Sequence, residues 1–101
     1  MANFADIIKG NTPVLVDFYA DWCGPCKMIS PVIKQLSEDM GDRARFLKVD
    51  VDKNPKAAAK YQVQGVPTLI VFKKGKQIWR TSGVAPIHIL KQALESAENQ
   101  N

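Results

Sequence analysis

The stretch "PVLVDFYADWCGPCKMISPVIKQLSEDM" (residues 13–40) determines how the rest of the chain is interpreted. Its first eight residues are almost all β-branched, aromatic or otherwise apolar, which indicates a strand buried on both faces. Asp17 is the one charge in that strand. Beyond it the apolar side chains recur at helical spacing. Both cysteines of the chain, Cys23 and Cys26, therefore lie where a strand gives way to a helix.

The helix that follows the strand has a predictable apolar face. At about 100° per residue, one face collects the following side chains: Met28, Ile29, Val32, Ile33, Leu36 and Met40. Cys26 falls at the margin of this face and Cys23 beyond it. We therefore expect Cys26 to be sheltered and Cys23 to be exposed, the asymmetry that a nucleophile and its resolving partner need.

The cysteine pair could be a redox pair, part of a metal site or a feature of the core. A disulfide between them closes a very short loop, worth only about 2 kcal/mol, so chemistry explains the pair better than stability does. Structural zinc needs four ligands. The chain offers two cysteines and one histidine, His88, on the polar side of the last helix. We expect no metal site, and His88 to be solvated.

The position of Cys23 favours redox chemistry. Free backbone N–H groups and the positive end of the helix dipole favour a thiolate there, and Lys27 adds a positive charge nearby. Two Cα atoms in a first helical turn are about 5–6 Å apart, within reach of a disulfide. Pro25, next to Gly24, stiffens the loop between the sulfurs.

The remaining elements predict a single α/β domain over residues 1–101. We expect a short helix near residues 3–9, a strand at 44–50, and a short helix from Asn54 to about Tyr61. "PTLIVFK" and "KQIWRTS" predict two strands joined by a hairpin at Lys74–Gly75, before a last helix at about 86–98. The front strand–helix–strand unit implies a parallel pair and the hairpin an antiparallel one, so the sheet is mixed.

Composition excludes several function classes. Apolar residues make up 46% and charged residues 24%, as in an ordinary globular protein. The net charge of +4 comes from scattered lysines, and the "KKGK" turn has no interleaved aromatic residues, so we expect no nucleic-acid partner. No apolar run approaches the length of a membrane span, and the first ten residues do not resemble a secretory signal. We expect a cytoplasmic protein whose thiols cycle.

Two charged residues stand inside predicted strands. A buried acid such as Asp17 is rare unless paired, and burial raises the pKa of a carboxyl group. Asp17 is therefore a candidate proton acceptor beside the dithiol. Lys48 interrupts the neighbouring strand, and we hypothesise that these two side chains approach each other beneath Cys26. A bulky residue in the last strand, Trp79, is expected to pack on the hairpin or the last helix.

Taken together, these motifs resemble the thioredoxin family. "WCGPC" at 22–26, Asp17 six residues before the first cysteine, Lys48, "GVPT" at 65–68 and Gly83 all match its pattern, over about residues 3–98. The resemblance implies a thioredoxin-like fold, with a central mixed four-stranded sheet flanked by helices. An N-terminal strand found in many members is expected to be missing, and Tyr19 stands where many members have Trp.

The resemblance also implies the activity and the roles of residues. Cys23 would attack a protein disulfide, Cys26 would resolve the mixed disulfide, and Asp17 would take the proton from Cys26 with help from Lys48. Pro67 would be cis and face the sulfurs. The substrate surface would comprise Trp22, Gly65, Val66, Pro67, Gly83 and Val84.

The same resemblance implies partners and cofactors. A flavin-containing thioredoxin reductase would recycle the protein with NADPH, so the chain itself, expected to be a monomer, would bind no cofactor. Two alternatives remain open at this point. One is an oxidant or isomerase in place of a reductant, and the other is an interaction module of the same fold whose thiols are incidental.

Overall fold

The computed structural model describes residues 3–100. Its elements lie close to the predicted boundaries. In chain order they are α1 (Phe4–Ile7), β1 (Val14–Tyr19), α2 (Gly24–Met40), β2 (Arg45–Asp50), α3 (Pro55–Lys60), β3 (Thr68–Lys73), β4 (Lys76–Ser82) and α4 (Ile87–Glu98). A 3₁₀ turn at Gly41–Arg43, which the sequence did not predict, follows α2.

The four strands form one mixed sheet in the order β2-β1-β3-β4, as predicted. β1 runs parallel to β2 and antiparallel to β3, and β3 and β4 form the antiparallel hairpin. Phe18, near the end of β1, pairs with Thr68 at the start of β3. Because of this antiparallel pairing, the loop before β3 lies at the same edge of the sheet as the start of α2.

Helices cover both faces of the sheet. The layer under α2 and α4 is built from side chains of β1, β3 and both helices, including Leu15, Ile29, Leu36, Leu69, Leu90 and Leu94, and Trp79 packs against its rim. On the opposite face the aromatic rings of Phe4, Phe18, Tyr61 and Phe72 meet at centroid distances of 5.0–6.4 Å. Every residue of β3 is buried and β1 is buried up to Phe18, as the apolar pattern predicted.

The hairpin turn has the backbone that a two-residue connection requires. Lys74 and Gly75 both have positive φ, at 55° and 81°. Two positive φ values are typical of a type I′ turn, whose twist matches that of the flanking strands. The predicted hairpin is confirmed.

Lys73, the last residue of β3, is buried at the end of α4. Its Nζ donates hydrogen bonds to the carbonyl oxygens of Ala97 (2.8 Å), Glu98 (3.1 Å) and Gln100. These acceptors belong to the last turn of α4 and the residues after it, where carbonyl groups lack partners within the helix. A central strand is thereby fastened to the last helix by one ammonium group.

Candidate active site

Cys23 is the N-cap of α2, and Cys26 lies in the first helical turn. The backbone N–H of Cys26 donates to Cys23 Sγ at 3.1 Å. The two residues are joined by a disulfide, and their Cα atoms are 5.3 Å apart, within the predicted range. One free N–H group of the helix end is therefore aimed at the Cys23 sulfur, where it favours negative charge.

The predicted difference in exposure between the cysteines is wrong. Cys23 is 3% exposed and Cys26 is 4% exposed. The angular count assumed a helix that includes Cys23, but the backbone of Cys23 is extended and α2 begins at Gly24. Val66 packs against the pair together with Ala20, so both sulfurs lie in a small apolar cluster.

Met28 also departs from the prediction, because it is 65% exposed. The buried centre of α2 lies at Ile29, Leu36 and Met40, whereas Val32 and Ile33 are partly buried. Met28 sits at the edge of that arc, about 100° from Ile29. It adds apolar surface close to the cysteines.

Asp17 is 2% exposed, and its Oδ1 has no hydrogen-bond partner among residues 3–100. Burial raises the pKa of this carboxyl group to about 6, and the positive charge of Lys48 offsets part of that rise. A carboxyl group that titrates near neutral pH can both accept and release a proton. The charged residue that interrupts the apolar pattern of β1 is therefore buried and has a raised pKa.

Lys48 lies directly opposite Asp17 in the β1–β2 register. The hypothesis that they approach agrees with this register and with the effect of the Lys48 charge on the pKa of Asp17, but within residues 3–100 neither side chain belongs to an ion pair of 4.0 Å or less. Instead, Lys48 Nζ lies 4.5 Å from the centroid of the Tyr19 ring. These two side chains and Cys26 line a cavity of about 120 Å³ beside the dithiol.

The loop before β3 reaches the cysteines through Val66, which precedes Pro67. The Val66–Pro67 peptide bond is cis, as the resemblance implied, and Pro67 is buried. Thr68 Oγ1 donates to the Gly65 carbonyl at 2.6 Å, and the Gly83 N–H donates to the Pro67 carbonyl at 2.9 Å. Gly83 has a φ of 85°, which a side chain would disfavour.

The residues expected to bind substrate differ in exposure, from buried Pro67 to exposed Trp22. Trp22 is 71% exposed and Val84 is also exposed, whereas Val66 is half-buried. The indole Nε1 of Trp22 donates to Asp52 Oδ2 at 2.9 Å. Asp50, which accepts hydrogen bonds from the backbone N–H groups of residues 52 and 53, fixes that loop. Sequence reasoning missed Asp52, because nothing in the local pattern connects it with a tryptophan thirty positions earlier.

Three cavities away from the dithiol, among residues 3–100, are lined by no cysteine or histidine side chain. Within residues 3–100 no three His, Cys, Asp or Glu side chains are grouped as metal ligands, and no helix there is long and apolar enough to cross a membrane. A larger cavity of about 260 Å³ lies at the opposite end of β3, lined by residues that include Lys73, Lys76 and Gln100. Its one buried cation, Lys73, is already bonded to carbonyl groups of α4 and the residues after it. We therefore assign the chemistry to the cysteine end.

Comparison with known proteins agrees with this site. A model of the thioredoxin family matches residues 1–96. The chain is 46% identical over 93 residues to thioredoxin 1 of Chlorobaculum tepidum, covering 91% of this chain and 92% of the relative. It is 48% identical over 94 residues to a thioredoxin of Staphylococcus saprophyticus, covering 93% and 89%. Its structure superposes with a TM-score of 0.85 on a mutant thioredoxin from Halobacterium salinarum, at 42% identity, covering 96% of this chain and 84% of that one.

Proposed function

This chain belongs to the thioredoxin family and is a thiol–disulfide oxidoreductase that reduces protein disulfides, and from that premise we propose a role for each residue of its site. Reduced Cys23 is the nucleophile. Its thiolate attacks one sulfur of a substrate disulfide, a new S–S bond forms between Cys23 and the substrate, and the other substrate sulfur leaves as a thiolate. The hydrogen bond from the Cys26 N–H to Cys23 Sγ is the observation that carries this assignment.

Cys26 is the resolving thiol. Once deprotonated, it attacks Cys23 Sγ, which releases the second substrate thiol and leaves the Cys23–Cys26 disulfide. Two electrons thereby pass from the dithiol to the substrate. In the resulting disulfide the Cα atoms are 5.3 Å apart, an ordinary separation for such a bond.

Asp17 accepts the proton of Cys26, with Lys48 as its electrostatic partner. A buried carboxyl group whose pKa lies at about 6 is largely ionised at pH 7 and still basic enough to take a proton. Cys26 and Lys48 both line the cavity beside the dithiol, so the charge of Lys48 lies close to the thiol that gives up the proton. The positive charge of Lys48 lowers the pKa of Asp17 and so shifts the pH range in which Asp17 accepts a proton.

The substrate chain lies on the rim around the disulfide. An extended segment pairs with the backbone beside Val66 in the manner of an added strand. Gly24 and Pro25 keep the loop between the sulfurs small and stiff, and Pro67 closes the site opposite them. The docking rim consists of Trp22, Gly65, Val66, Pro67, Gly83 and Val84.

The first experiment is a redox titration of the Cys23–Cys26 pair against dithiothreitol and glutathione buffers, measured by alkylation and mass. We expect a midpoint more negative than about −240 mV, as for a reductant. A midpoint between about −180 and −120 mV would mean an oxidant or isomerase. Cys26→Ser should accumulate the mixed disulfide with substrate, whereas Cys23→Ser should accumulate none.

A second experiment tests Asp17. Asp17→Asn should slow resolution of the mixed disulfide by about tenfold or more at pH 7, because the general base is lost. Single-turnover release of substrate thiol from pH 6 to 9 measures this step. Unchanged kinetics over that range would remove Asp17 from the mechanism.

We further propose that the protein works as a cytoplasmic monomer, transferring electrons from NADPH through a thioredoxin reductase. The bacterial thioredoxins among its relatives support this setting. The pair carries the electrons itself, and no cofactor is bound. NADPH oxidation coupled to a bacterial thioredoxin reductase and an insulin substrate tests the electron path, and sedimentation analysis tests the monomer.

A further inference from the structure

Tyr19, the last residue of β1, shares one face of the sheet with Asp17 because alternate residues of a strand point the same way. Lys48 of β2 pairs with Asp17 in the register and therefore lies on that face as well. The neighbours of its ammonium group there include the carboxylate of Asp17 directly opposite and the ring of Tyr19, the next residue of β1 on this face, with Asp50 and Asp21 nearby. In the structure it lies over the ring, 4.5 Å from the centroid.

We propose that Tyr19 is a positioning residue for proton transfer: its ring holds the Lys48 ammonium at the cavity beside Cys26, out of ion-pair contact with Asp17, and so sets the pH range in which Asp17 accepts a proton. The inference rests on the role proposed above for Asp17. Tyr19 itself touches no reacting atom in this scheme and acts only through Lys48.

Lys48 is the charged residue whose interaction lowers the pKa of Asp17. On this face β2 contributes Lys48 and Asp50, and Asp50 already accepts hydrogen bonds from the backbone N–H groups of residues 52 and 53. The cavity adds Cys26 and Lys27 from α2 and Asp21 from the connecting loop. β3 and α4 pack on this layer with apolar side chains. The charged residue of β3 on this face, Lys73, lies at the far end of the strand, bonded to carbonyl groups of α4.

Coulomb attraction grows as the charges approach. Burial raises the pKa of Asp17, and Lys48 at its present distance offsets that rise only in part. An ammonium released from the ring is free to move toward the carboxylate and lower the pKa further. The strength of a cation–π contact, equivalent to about half a pKa unit, sets the size of the expected change.

The test compares Tyr19→Leu with Tyr19→Phe in the full-length oxidised protein, using the carbon-13 carboxyl signal of Asp17 to follow its titration. Leu removes the ring and is expected to lower the midpoint by about 0.5 pH unit. Phe retains the ring and should keep the wild-type midpoint. Within residues 3–100 the Tyr19 hydroxyl makes no hydrogen bond, so the Phe variant is a matched control.

A double-variant cycle separates this mechanism from simple hydration of the cavity. Lys48→Met should raise the midpoint, because it removes the charge that lowers it. In that background Tyr19→Leu should shift nothing. If Tyr19→Leu still lowers the midpoint without Lys48, or does not lower it in the wild type, the inference is overturned, since water entry or mere packing then explains the contact.

Kinetics distinguish failure of this inference from failure of the Asp17 proposal. The pH profile of mixed-disulfide resolution in Tyr19→Leu should move to lower pH by the same amount as the carboxyl titration. If the titration of Asp17 shifts but the pH profile of the rate does not, the Tyr19 ring still positions Lys48. In that case Tyr19 does not control proton transfer, and the proposed role of Asp17 as proton acceptor is refuted as well.

Discussion

Replacing Asp17 by Asn should change the pH dependence of stability, because the pKa of this carboxyl group is raised by burial. Burial raises the pKa of this group from 3.8 to about 6, a difference of about 2 units, or about 3 kcal/mol. The folded state therefore binds a proton more tightly than the unfolded chain does. The stability contributed by this group is fully present below pH 3.8 and is lost as the pH rises through about 6.

Asn does not titrate, so the variant is free of this loss. The free energy of unfolding of Asp17→Asn, minus that of the wild type, should rise by about 2 kcal/mol between about pH 4.5 and about pH 7.5. The Asn amide has unmet hydrogen bonds of its own, but their cost of about 1–3 kcal/mol is the same at both pH values and cancels in this comparison. Urea unfolding of the oxidised proteins at the two pH values measures the quantity directly.

Asp50→Asn is the matched control, because Asp50 is also buried but accepts hydrogen bonds from two backbone N–H groups, at 2.9 and 3.2 Å. Asp50→Asn should be destabilised by about 1–2 kcal/mol, because the two backbone N–H groups then donate to a neutral amide oxygen in place of a carboxylate. A difference for Asp17→Asn that is equal at the two pH values would refute the reasoning, since the group would then titrate alike in the folded and unfolded chains.

Three further predictions concern the surroundings of the site. Asp52→Ala frees the indole of Trp22 and should lower kcat/KM for a protein disulfide by about 2- to 10-fold, while Asp52→Asn, which still offers an acceptor, retains most of it. Lys73→Met leaves carbonyl groups of α4 unpaired and should lower the free energy of unfolding by about 2–3 kcal/mol in urea, whereas exposed Lys74→Met should change little. Gly83→Ala places a side chain at a φ of 85° and should cost about 1–2 kcal/mol in the same assay; no loss would mean that the backbone relaxes there.

The sequence predicted the architecture because the signals for it are local. Alternating or continuous apolar runs marked all four strands, and two adjacent turn residues marked the hairpin. The predictions failed where a side chain's environment depends on distant segments. Cys23 is covered by Val66 from the loop before β3, which a projection of α2 alone cannot include.

Interactions that join separate elements were the least predictable. Lys73 follows an apolar run and resembles the polar end of a strand in the sequence. Only the position of α4 in the fold shows that its Nζ donates to carbonyl groups there. Lys48 was linked with Asp17 as the charge in the neighbouring strand, and the two pair in the register, but the contact of Lys48 with Tyr19 depends on rotamers that the pattern does not encode. Proximity can be inferred from the sequence, whereas the partner of a flexible charged side chain cannot.

Because β3 pairs with β1, the cysteines after β1 are covered by a loop that comes later in the chain. The loop that shelters the sulfurs is translated after them, with about 40 residues between Cys26 and Pro67, or about 2 to 8 s at usual elongation rates. During that interval the nascent dithiol lacks its cover. Protection of the newly made thiols therefore depends on a reducing environment until the loop before β3 has been synthesised and packs against them.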